Sequence, residues 1–566
     1  MVTNENKRPL KSKRELSCAR LNDFHSSFDK EKGLMWGLLK SSGNHPTRIN
    51  AAYAEFIFNM KDEEHYKRAE DIIWKLCAIQ DKNPESKTYG LWPPNFEDKL
   101  SEIGFPDFNF ADFIGRALIA VYKKHSSLLD DDLNKEIKNS LLLAAKCSMR
   151  RHVGLDYTNV ILMSCFTIVA VGEITKNNEV FEFGRAELKR LLEYTRFCGA
   201  FTEYNSPEYM LVASGAISDM LTYFEDEECI KIANELNGYL WETGARQYSN
   251  EFLEYTPPYI RNYTDLDSRG VYKYFIYGAT AGKFGEFTEG RGAGGEVCCP
   301  EEYHHLFNEH GFYKKTYYRK NNLRNKDEDV AIVQDFESPD LIAYSYKTDK
   351  LLFGSFQKSD LWGQRRTLMA IWNKENKRCL KLCALKDGED FSSAMSYVSQ
   401  KENKAVVLLG FSNDHGDKHY IVDPLKDGKI RAKKLSFMLK TGGEKEKLAF
   451  SYENGEYVLS DGTTTIRVNV SDFYFDGKKA EVKIVPEGLE FVCLDKETEE
   501  EIDLTALKKS YAVFSIAVNE KPPAIRSEEK DGRILVFADG GAEIKGYITP
   551  QKYNECIRNT IVCDFA

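Results

Sequence analysis

The chain has 566 residues, 42% of them hydrophobic and 13% aromatic, so it can bury large cores, and its length predicts at least two domains. A formal net charge of -10 disfavours non-specific binding to nucleic acid. No apolar run approaches the roughly 20 residues of a membrane span, and Met1 to Glu15 lacks the apolar stretch of a signal peptide. We therefore expect a cytoplasmic globular protein, or a periplasmic or secreted one if a signal peptide preceded this sequence.

Thirteen cysteines are scattered along the chain, without a CxxC pair or a spacing typical of metal ligands. Cys77, Cys147, Cys165 and Cys229 lie in apolar segments, which indicates reduced thiols packed in a core. We predict no metal or other cofactor and leave open a structural metal ion in the second half of the chain.

Up to about residue 290, helical periodicity predicts helices near residues 47–60, 63–80, 108–125, 131–150, 157–175, 178–196, 207–223 and 227–243. The helices come in pairs, and the first helix of each pair recurs about every 50 residues. Asp112, Asn159 and Tyr209 fall near the starts of three successive first helices. Repeated helical hairpins predict a solenoid or an (α/α) toroid, and in a toroid these three helix starts would face one cleft.

After about residue 290, short alternating runs at 330–333, 341–346, 405–409 and 465–468 predict strands, separated by turn signals such as Asn454-Gly455. The fold class is therefore multidomain α + β. We predict an incomplete (α/α) toroid over residues 1–285, a glycine-rich linker over 286–300 and an antiparallel β-sandwich over 301–566. The linker lacks the Lys-Ser/Thr pair of a P-loop, so nucleotide binding is not expected.

The segment Asn205-Ser206-Pro207-Glu208-Tyr209 predicts a helix start, with Ser206 as the N-cap and Tyr209 in the first turn. Asp156 is the corresponding N-cap candidate before Asn159. The positive end of a helix and a neighbouring arginine favour phenolate, so we expect the tyrosine pKa to fall from about 10. Such a tyrosine can take or return a proton, and an asparagine amide can stabilise a carboxylate whose charge grows.

Three segments carry a resemblance to a known family: Tyr157-Thr158-Asn159, the segment from Asn205 to Tyr209, and Ser359-Asp360-Leu361-Trp362-Gly363-Gln364-Arg365-Arg366. Their order, before and within a β-rich second half, resembles the heparinase II/III-type and related alginate and chondroitin polysaccharide lyases. The resemblance implies an (α/α) toroid with an antiparallel β-sandwich, and cleavage of uronic-acid glycans by β-elimination. It also implies that Asn159 neutralises the substrate carboxylate and that Tyr209 is the catalytic acid or base.

Members of this family often place a histidine beside the asparagine or in the β half. Here Val160 follows Asn159, so the candidates are His152 and, in the second half, His305 with its neighbours His304 and His310. We expect His152 or His305 to assist the proton transfer. The three clustered histidines lack the i, i+4 spacing of a helical zinc pair, so they do not predict a metal site.

A proline-stiffened, aromatic segment lies between the halves, from Tyr255 to Tyr263. Arg261 follows Tyr209 by about one hairpin period and could hold a carboxylate with its planar fork. Tyr263 is then a second candidate for the catalytic acid or base. The tyrosines of this segment could equally have a structural role and pack at the interface between the two domains. We expect substrate to be bound by further polar and aromatic residues: Trp92, Glu203, Tyr204, Asn205, Tyr259, Trp362, Gln364 and Arg365.

The expected partner is an anionic polysaccharide or oligosaccharide, and the oligomeric state is left open. Three alternatives remain at this point. A glycoside hydrolase would need two carboxylates across the cleft, for which Asp112 and Glu203 are the candidates. A uronyl C5-epimerase would share the proton abstraction, and a non-catalytic protein would only bind glycan. Packing in the core is the alternative for Trp92.

Overall fold

The computed structural model describes residues 21, 24–37, 43–287, 297–317, 341–414, 425–443 and 448–566. The predicted run at 330–333 and residues 288–296 of the predicted linker lie outside the described residues. The helices are α1 Thr47–Met60, α2 Tyr66–Ile79, α3 Asn109–His125, α4 Asp131–Arg151, α5 Thr158–Thr175, α6 Asn178–Cys198, α7 Pro207–Tyr223, α8 Glu227–Gln247, α9 Val271–Ala279 and α10 Tyr553–Asn559.

Short 3-10 helices and two small hairpins complete the helical half. The 3-10 helices are Glu63–His65, Leu100–Glu102, Ser126–Leu128 and Glu301–Asn308. The hairpins pair Phe28–Asp29 with Leu34–Met35, and Tyr248–Ser249 with Glu254–Tyr255.

The helical hairpins form two layers, as the repeat predicts. Helices α1, α3, α5 and α7 pack side by side in an inner row, and α2, α4, α6 and α8 lie outside them. The expectation that no apolar run approaches the length of a membrane span is wrong for α5, which is long and apolar enough to cross a membrane. However, 83% of this helix is buried and it packs against α3, α4, α6 and α7. Arg116 of α3 contacts Asp219 of α7 at 2.7 Å, so the inner row curves back on itself as in a partial toroid.

The second half is antiparallel β-structure. A sheet of nine described strands has the order Glu481–Val485, Gly488–Asp503, Lys429–Gly443, Arg378–Lys386, Leu368–Trp372, Leu351–Phe356, Leu341–Lys347 and Gly311–Tyr317, with Glu389–Asp390 paired to Arg378–Lys386. A sheet of eight has the order Ser451–Glu453, Glu456–Ser460, Thr465–Phe475, Tyr511–Val518, Lys404–Phe411, Ala394–Lys401 and Lys358–Asp360, with Lys478–Lys479 paired to Thr465–Phe475.

A third sheet lies on the outer face of the second, with the order Ile525–Lys530, Arg533–Ala538, Glu543–Tyr547 and Ile561–Cys563. Strand Lys404–Phe411 shows why three layers form. Val407 and Leu409 join the core shared with the first sheet, whereas Val406 and Leu408 join the core shared with the third. Successive side chains of a strand point to opposite faces, so an uninterrupted apolar run has both faces buried. The structure confirms the predicted fold class and adds this layer.

The segment that links the halves is bound to both. Tyr259 and Arg366 exchange backbone hydrogen bonds of 3.3 and 2.9 Å, and the backbone N–H of Asn262 donates to the carbonyl of Gln364 at 2.7 Å. A Cβ added to Gly354 would lie 1.9 Å from the carbonyl oxygen of Pro257, so a glycine is required for this close approach. The segment is therefore fixed against the first β-sheet.

Three local expectations differ from the structure. Ser206 occupies the predicted N-cap position of α7, but its hydroxyl makes no capping hydrogen bond and instead accepts the backbone N–H of Arg261 at 3.1 Å. Helix α5 begins at Thr158 with Tyr157 as its N-cap, so Asp156 is not the cap. Residues 301–308, assigned from sequence to the β-sandwich, form a 3-10 helix whose Leu306 and Phe307 pack in the helical core.

Candidate active site

Glu203, in the loop between α6 and α7, is the centre of a polar cluster. Its Oε1 accepts the amide of Asn159 at 3.0 Å and Nη1 of Arg261 at 2.7 Å. Its Oε2 accepts both the backbone N–H and the side-chain amide of Asn159 at 2.8 Å. The carboxylate thus sits at the N-terminus of α5, where the helix dipole favours a negative charge. With 7% of its side chain exposed, Glu203 ties three chain segments together.

Arg261 lies between Glu203 and Tyr209, and it contacts each of them through a different nitrogen. The Tyr209 hydroxyl accepts Nη2 of Arg261 at 2.8 Å and donates to the hydroxyl of Tyr263 at 2.6 Å. The guanidinium carbon lies 4.1 Å from the centre of the Tyr209 ring. Gln364, from the β half, accepts Nε of Arg261 at 3.2 Å and lies 3.4 Å from the Tyr209 hydroxyl. Tyr263 is 63% exposed and forms the solvent side of the cluster.

The expectation of a lowered tyrosine pKa is wrong for the free protein. Burial raises the pKa of Tyr209, the charge of Arg261 only partly offsets this, and the hydrogen bond to Tyr263 raises it further. Burial lowers the pKa of Arg261, because it disfavours the charged guanidinium. Glu203 and Tyr209 raise this pKa by a larger amount, so the net shift is upward. The resting site therefore pairs a neutral phenol with a guanidinium cation.

The loop before α7 positions Arg261 through backbone contacts. Asn205 has a φ of 44°, a conformation that asparagine tolerates better than most residues, and its amide donates to the carbonyls of Thr256 and Pro258 at 2.7 and 2.8 Å. Ser206 then accepts the Arg261 N–H as described above. Because these bonds fix the backbone on both sides of residue 260, the Arg261 side chain is directed at Glu203 and Tyr209.

The structure brings six of the predicted site residues into this one contact network. Their roles in binding or catalysis remain predictions. The six are Asn159, Glu203, Tyr209, Arg261, Tyr263 and Gln364.

Neither predicted histidine belongs to that network. His152 follows the last residue of α4, and its Nε2 lies 3.1 Å from Glu187 and 3.4 Å from Arg190. His305 lies on the 3-10 helix Glu301–Asn308, with 68% of its side chain exposed and Nδ1 2.7 Å from the carbonyl of Glu302. The expectation that either assists proton transfer is not supported by their contacts.

Four predicted substrate-binding aromatics are buried and cannot cover a sugar ring. Trp92 has no exposed surface and donates its indole N–H to the carbonyl of Leu76 at 2.8 Å. The other three are also buried, because they pack where the two halves meet. The three are Tyr204, whose ring stacks on Tyr317; Tyr259, which donates to the carbonyl of Tyr255; and Trp362, whose ring centre lies 5.4 Å from the guanidinium of Arg261.

Two polar residues predicted to bind substrate are committed to internal contacts. The amide of Asn205 holds the 256–258 backbone, as described above. The side chain of Arg365 is buried and lies 2.8 Å from the equally buried carboxylate of Asp360. An arginine in such a pair cannot leave it without exposing an unpaired charge to the protein interior. Both residues therefore stabilise the site's scaffold.

The carboxylate pair required by the glycoside hydrolase alternative is not formed. Asp112 is fully buried in α3, and its Oδ1 accepts the hydroxyl of Ser148 at 2.7 Å. Glu203 is engaged by Asn159 and Arg261. Two carboxylates must flank an accessible glycosidic bond, so this pair cannot carry out hydrolysis.

Sequence reasoning missed a cavity of about 510 Å³ beside Tyr263. Glu208 and Arg269 contribute charged groups to its lining, and Glu208 accepts the backbone N–H of Tyr263 at 3.3 Å. Tyr157 was also missed as a site residue, although its ring lies 5.4 Å from the Arg261 guanidinium. Glu208 lies next to Tyr209 in the segment that begins α7. This position was the signal in the sequence that could have identified Glu208 as a site residue.

Residues 15–275 match a family model described as a domain of unknown function, DUF8769. No curated protein matches the chain. The fold is similar to Streptomyces coelicolor A3 chondroitin AC lyase in complex with chondroitin sulphate, at 8% identity and a TM-score of 0.46, over 97% of this chain and 86% of that chain.

Two further solved structures are similar. One is heparan sulfate lyase HepC from Pedobacter heparinus, at 10% identity and a TM-score of 0.37, over 98% of this chain and 92% of that chain. The other is heparinase III with methylated lysines, at 12% identity and a TM-score of 0.37, over 88% of this chain and 82% of that chain. All three are polysaccharide lyases by name, which is the class that the sequence motifs resemble.

Proposed function

We propose that the cluster around Arg261 catalyses β-elimination at a uronic acid, which makes the protein a lyase of anionic polysaccharides or oligosaccharides. One observation carries the proposal: the Tyr209 hydroxyl contacts a guanidinium at 2.8 Å and, at 2.6 Å, the hydroxyl of a solvent-exposed tyrosine. The first contact stabilises a phenolate. The second provides a route by which the phenolic proton can leave.

The reaction would run as follows. Tyr209 passes its proton through the Tyr263 hydroxyl to solvent, and the Arg261 charge stabilises the phenolate. The phenolate takes the proton from C5 of the uronic acid, and the electron pair left behind forms the C4–C5 double bond as the bond from C4 to its glycosidic oxygen breaks. Tyr209 then returns the proton to that oxygen. The products are an unsaturated uronate and a free hydroxyl.

The substrate carboxylate would be neutralised mainly by Arg261. Within the described residues, its contacts with Glu203, Tyr209 and Gln364 use three of the five N–H groups of a guanidinium, and in this proposal the other two meet the substrate. Asn159 directs its amide at Glu203, and in this proposal it positions that carboxylate rather than meeting the substrate. This differs from the role that the family resemblance implied.

The test is the ultraviolet absorbance of unsaturated uronates, measured over a panel of anionic polysaccharides and their oligosaccharides. Tyr209→Phe should lower the rate on an active substrate by at least about 100-fold, because it removes the proton-transferring group. Tyr452→Phe, a change at an exposed tyrosine of the β half, is the matched control and should keep the wild-type rate. New reducing ends without unsaturated product would exclude a lyase.

The pH dependence of the reaction rate distinguishes whether Tyr209 acts first as a base or as an acid. Burial raises the Tyr209 pKa, so a reaction that begins with loss of its proton should accelerate as the pH rises through the neutral and alkaline range. A rate that falls over that range would show that Tyr209 acts first as an acid.

A further inference from the structure

A second group of functional side chains lies in the helical half, between the N-terminal segment and the first helical hairpin. Nε2 of His25 and Nδ1 of His65 approach the same atom, Oδ2 of Asp62, at 2.9 and 2.7 Å. The two imidazole rings stack with centres 4.0 Å apart. One ligand atom from each of the three residues lies within 4.8 Å of the others.

The group is accessible from solvent, with 16 to 21% of each side chain exposed. His25 is also fixed by contacts of its other ring nitrogen, on the side away from Asp62. Nδ1 of His25 lies 2.7 Å from the hydroxyl of Tyr53, and that hydroxyl accepts Nη1 of Arg68 at 2.9 Å. A metal-binding histidine commonly donates its second ring N–H to a fixed acceptor, which sets the tautomer and the ring orientation. Tyr53 is fully buried and supplies such an acceptor.

We propose that His25, Asp62 and His65 bind Zn²⁺, with a water in the fourth position. Two imidazole nitrogens and one carboxylate oxygen are a ligand set that zinc favours. At metal–ligand distances of about 2.0 to 2.1 Å, tetrahedral ligand atoms lie about 3.3 Å apart. The observed 2.7 and 2.9 Å separations would each widen by a few tenths of an ångström to admit the ion.

Charged groups of both signs lie near the site, and among the described residues the acidic ones outnumber the one nearby arginine. Asp62 is negative, and Glu63 and Glu64 follow it in the chain. The guanidinium of Arg68 opposes a cation but lies on the Nδ1 side of His25, 3.4 Å from that atom and away from the nitrogen that faces Asp62. Zinc here would join residues 24–37 to the turn between α1 and α2. It would stabilise the fold, and it does not depend on the proposed lyase activity.

The test uses full-length protein without a histidine tag, freed of metal with a chelator and titrated with zinc chloride by calorimetry. We expect about one equivalent to bind and to raise the melting temperature. His65→Ala and Asp62→Asn should each weaken binding by at least about tenfold, and Tyr53→Phe by about tenfold through the outer contact. His125→Ala, at a half-buried histidine beside Asn59, is the matched control.

Cobalt substitution checks which atoms bind, because exposed Cys298 and Cys563 could also take a metal. Visible absorption typical of tetrahedral Co²⁺, without sulfur-to-cobalt charge transfer, is expected and should be lost in His25→Ala. Zinc binding that is unchanged in His65→Ala and Asp62→Asn, or no binding at all, would overturn the proposal. The three residues would then form a hydrogen-bonded cluster only.

Discussion

Asp112, Asn159 and Tyr209 occupy the first turns of α3, α5 and α7, yet each has different surroundings. Asp112 is fully buried and accepts a hydrogen bond from Ser148, whereas Asn159 donates its amide to Glu203. Only Tyr209 reaches the solvent side, through Tyr263. Equivalent positions in the repeat therefore do not have equivalent chemistry, because the loops packed over each helix start decide what the side chain meets.

Asp112→Asn is expected to change how stability depends on pH. Burial raises the pKa of the Asp112 carboxyl from 3.8 to about 6, outweighing its hydrogen bond from Ser148. The native state therefore holds this proton more tightly than the unfolded chain, and the associated stability is complete below about pH 4 and lost as the pH rises through 6. A shift of this size corresponds to about 3 kcal/mol.

The asparagine variant should lack that loss, so it should gain stability relative to wild type between about pH 4 and pH 8. The free energy of unfolding in urea, measured at several pH values, checks this. Asp132→Asn, at an exposed position on α4, is the control and should run parallel to wild type. A constant difference between Asp112→Asn and wild type would contradict the expectation. The variant should also keep any lyase activity, since Asp112 lies outside the site.

The element that assembles the site is the segment from Tyr255 to Tyr263. It follows the last long hairpin of the helical half and pairs its backbone with residues 364–366 of the β half. It carries Arg261 and Tyr263 on one side of Tyr209, while the β half supplies Gln364. The geometry of the site therefore depends on how closely this segment approaches the first β-sheet.

Gly354→Ala is expected to damage both stability and activity. The new methyl group would lie 1.9 Å from the Pro257 carbonyl oxygen, so the segment must move away from its strand. Overpacking of this kind costs about 1 to 3 kcal/mol, and the displacement would carry Arg261 away from Tyr209. Gly410→Ala is the matched control, because a Cβ there meets no atom within 4 Å. Equal melting temperatures and rates for the two variants would refute this account.

At the scale of the molecule, the two halves are joined by ion pairs as well as by backbone contacts. Asp265 of the linking region lies 2.6 Å from Arg366 and 2.9 Å from Lys381. Burial alone would raise the pKa of Asp265, but the two cations reverse this and the net direction is downward. Lys377 adds a 2.6 Å contact with the buried carboxylate of Glu254. The halves are thus expected to unfold together.

Asp265→Ala tests that coupling. It leaves the buried guanidinium of Arg366 without its carboxylate partner, which should cost about 3 kcal/mol. Differential scanning calorimetry should show a lower melting temperature and a broader or divided transition. Glu501→Ala removes an exposed partner of Lys429 and serves as the control, with an expected change within about 0.5 kcal/mol. A single unshifted transition in Asp265→Ala would show that backbone contacts alone join the halves.

Periodicity in the sequence was sufficient to predict the eight long helices of the first half and the change to β-structure after it. The predicted helix at 207–223 agrees with α7 at both ends, and the predicted run at 341–346 became Leu341–Lys347. The third β-layer could not be predicted from the sequence. The apolar run Lys404–Phe411 indicates that both faces of the strand are buried, but it does not indicate which sheet covers each face. The buried state of Trp92 likewise depends on a hydrophobic core formed by residues from many separate segments of the chain.

The sequence by itself therefore determined the helical repeat, the change to β-structure and the residues from which a site could be drawn, since these follow from local propensity and side-chain period. Only the tertiary structure decided which of those residues meet. Glu203, Tyr209, Arg261 and Gln364 converge because a loop, a helix start, a linking segment and a strand connection are packed together. The same packing removes water from Tyr209, and this desolvation outweighs the helix end and the arginine that favour its phenolate.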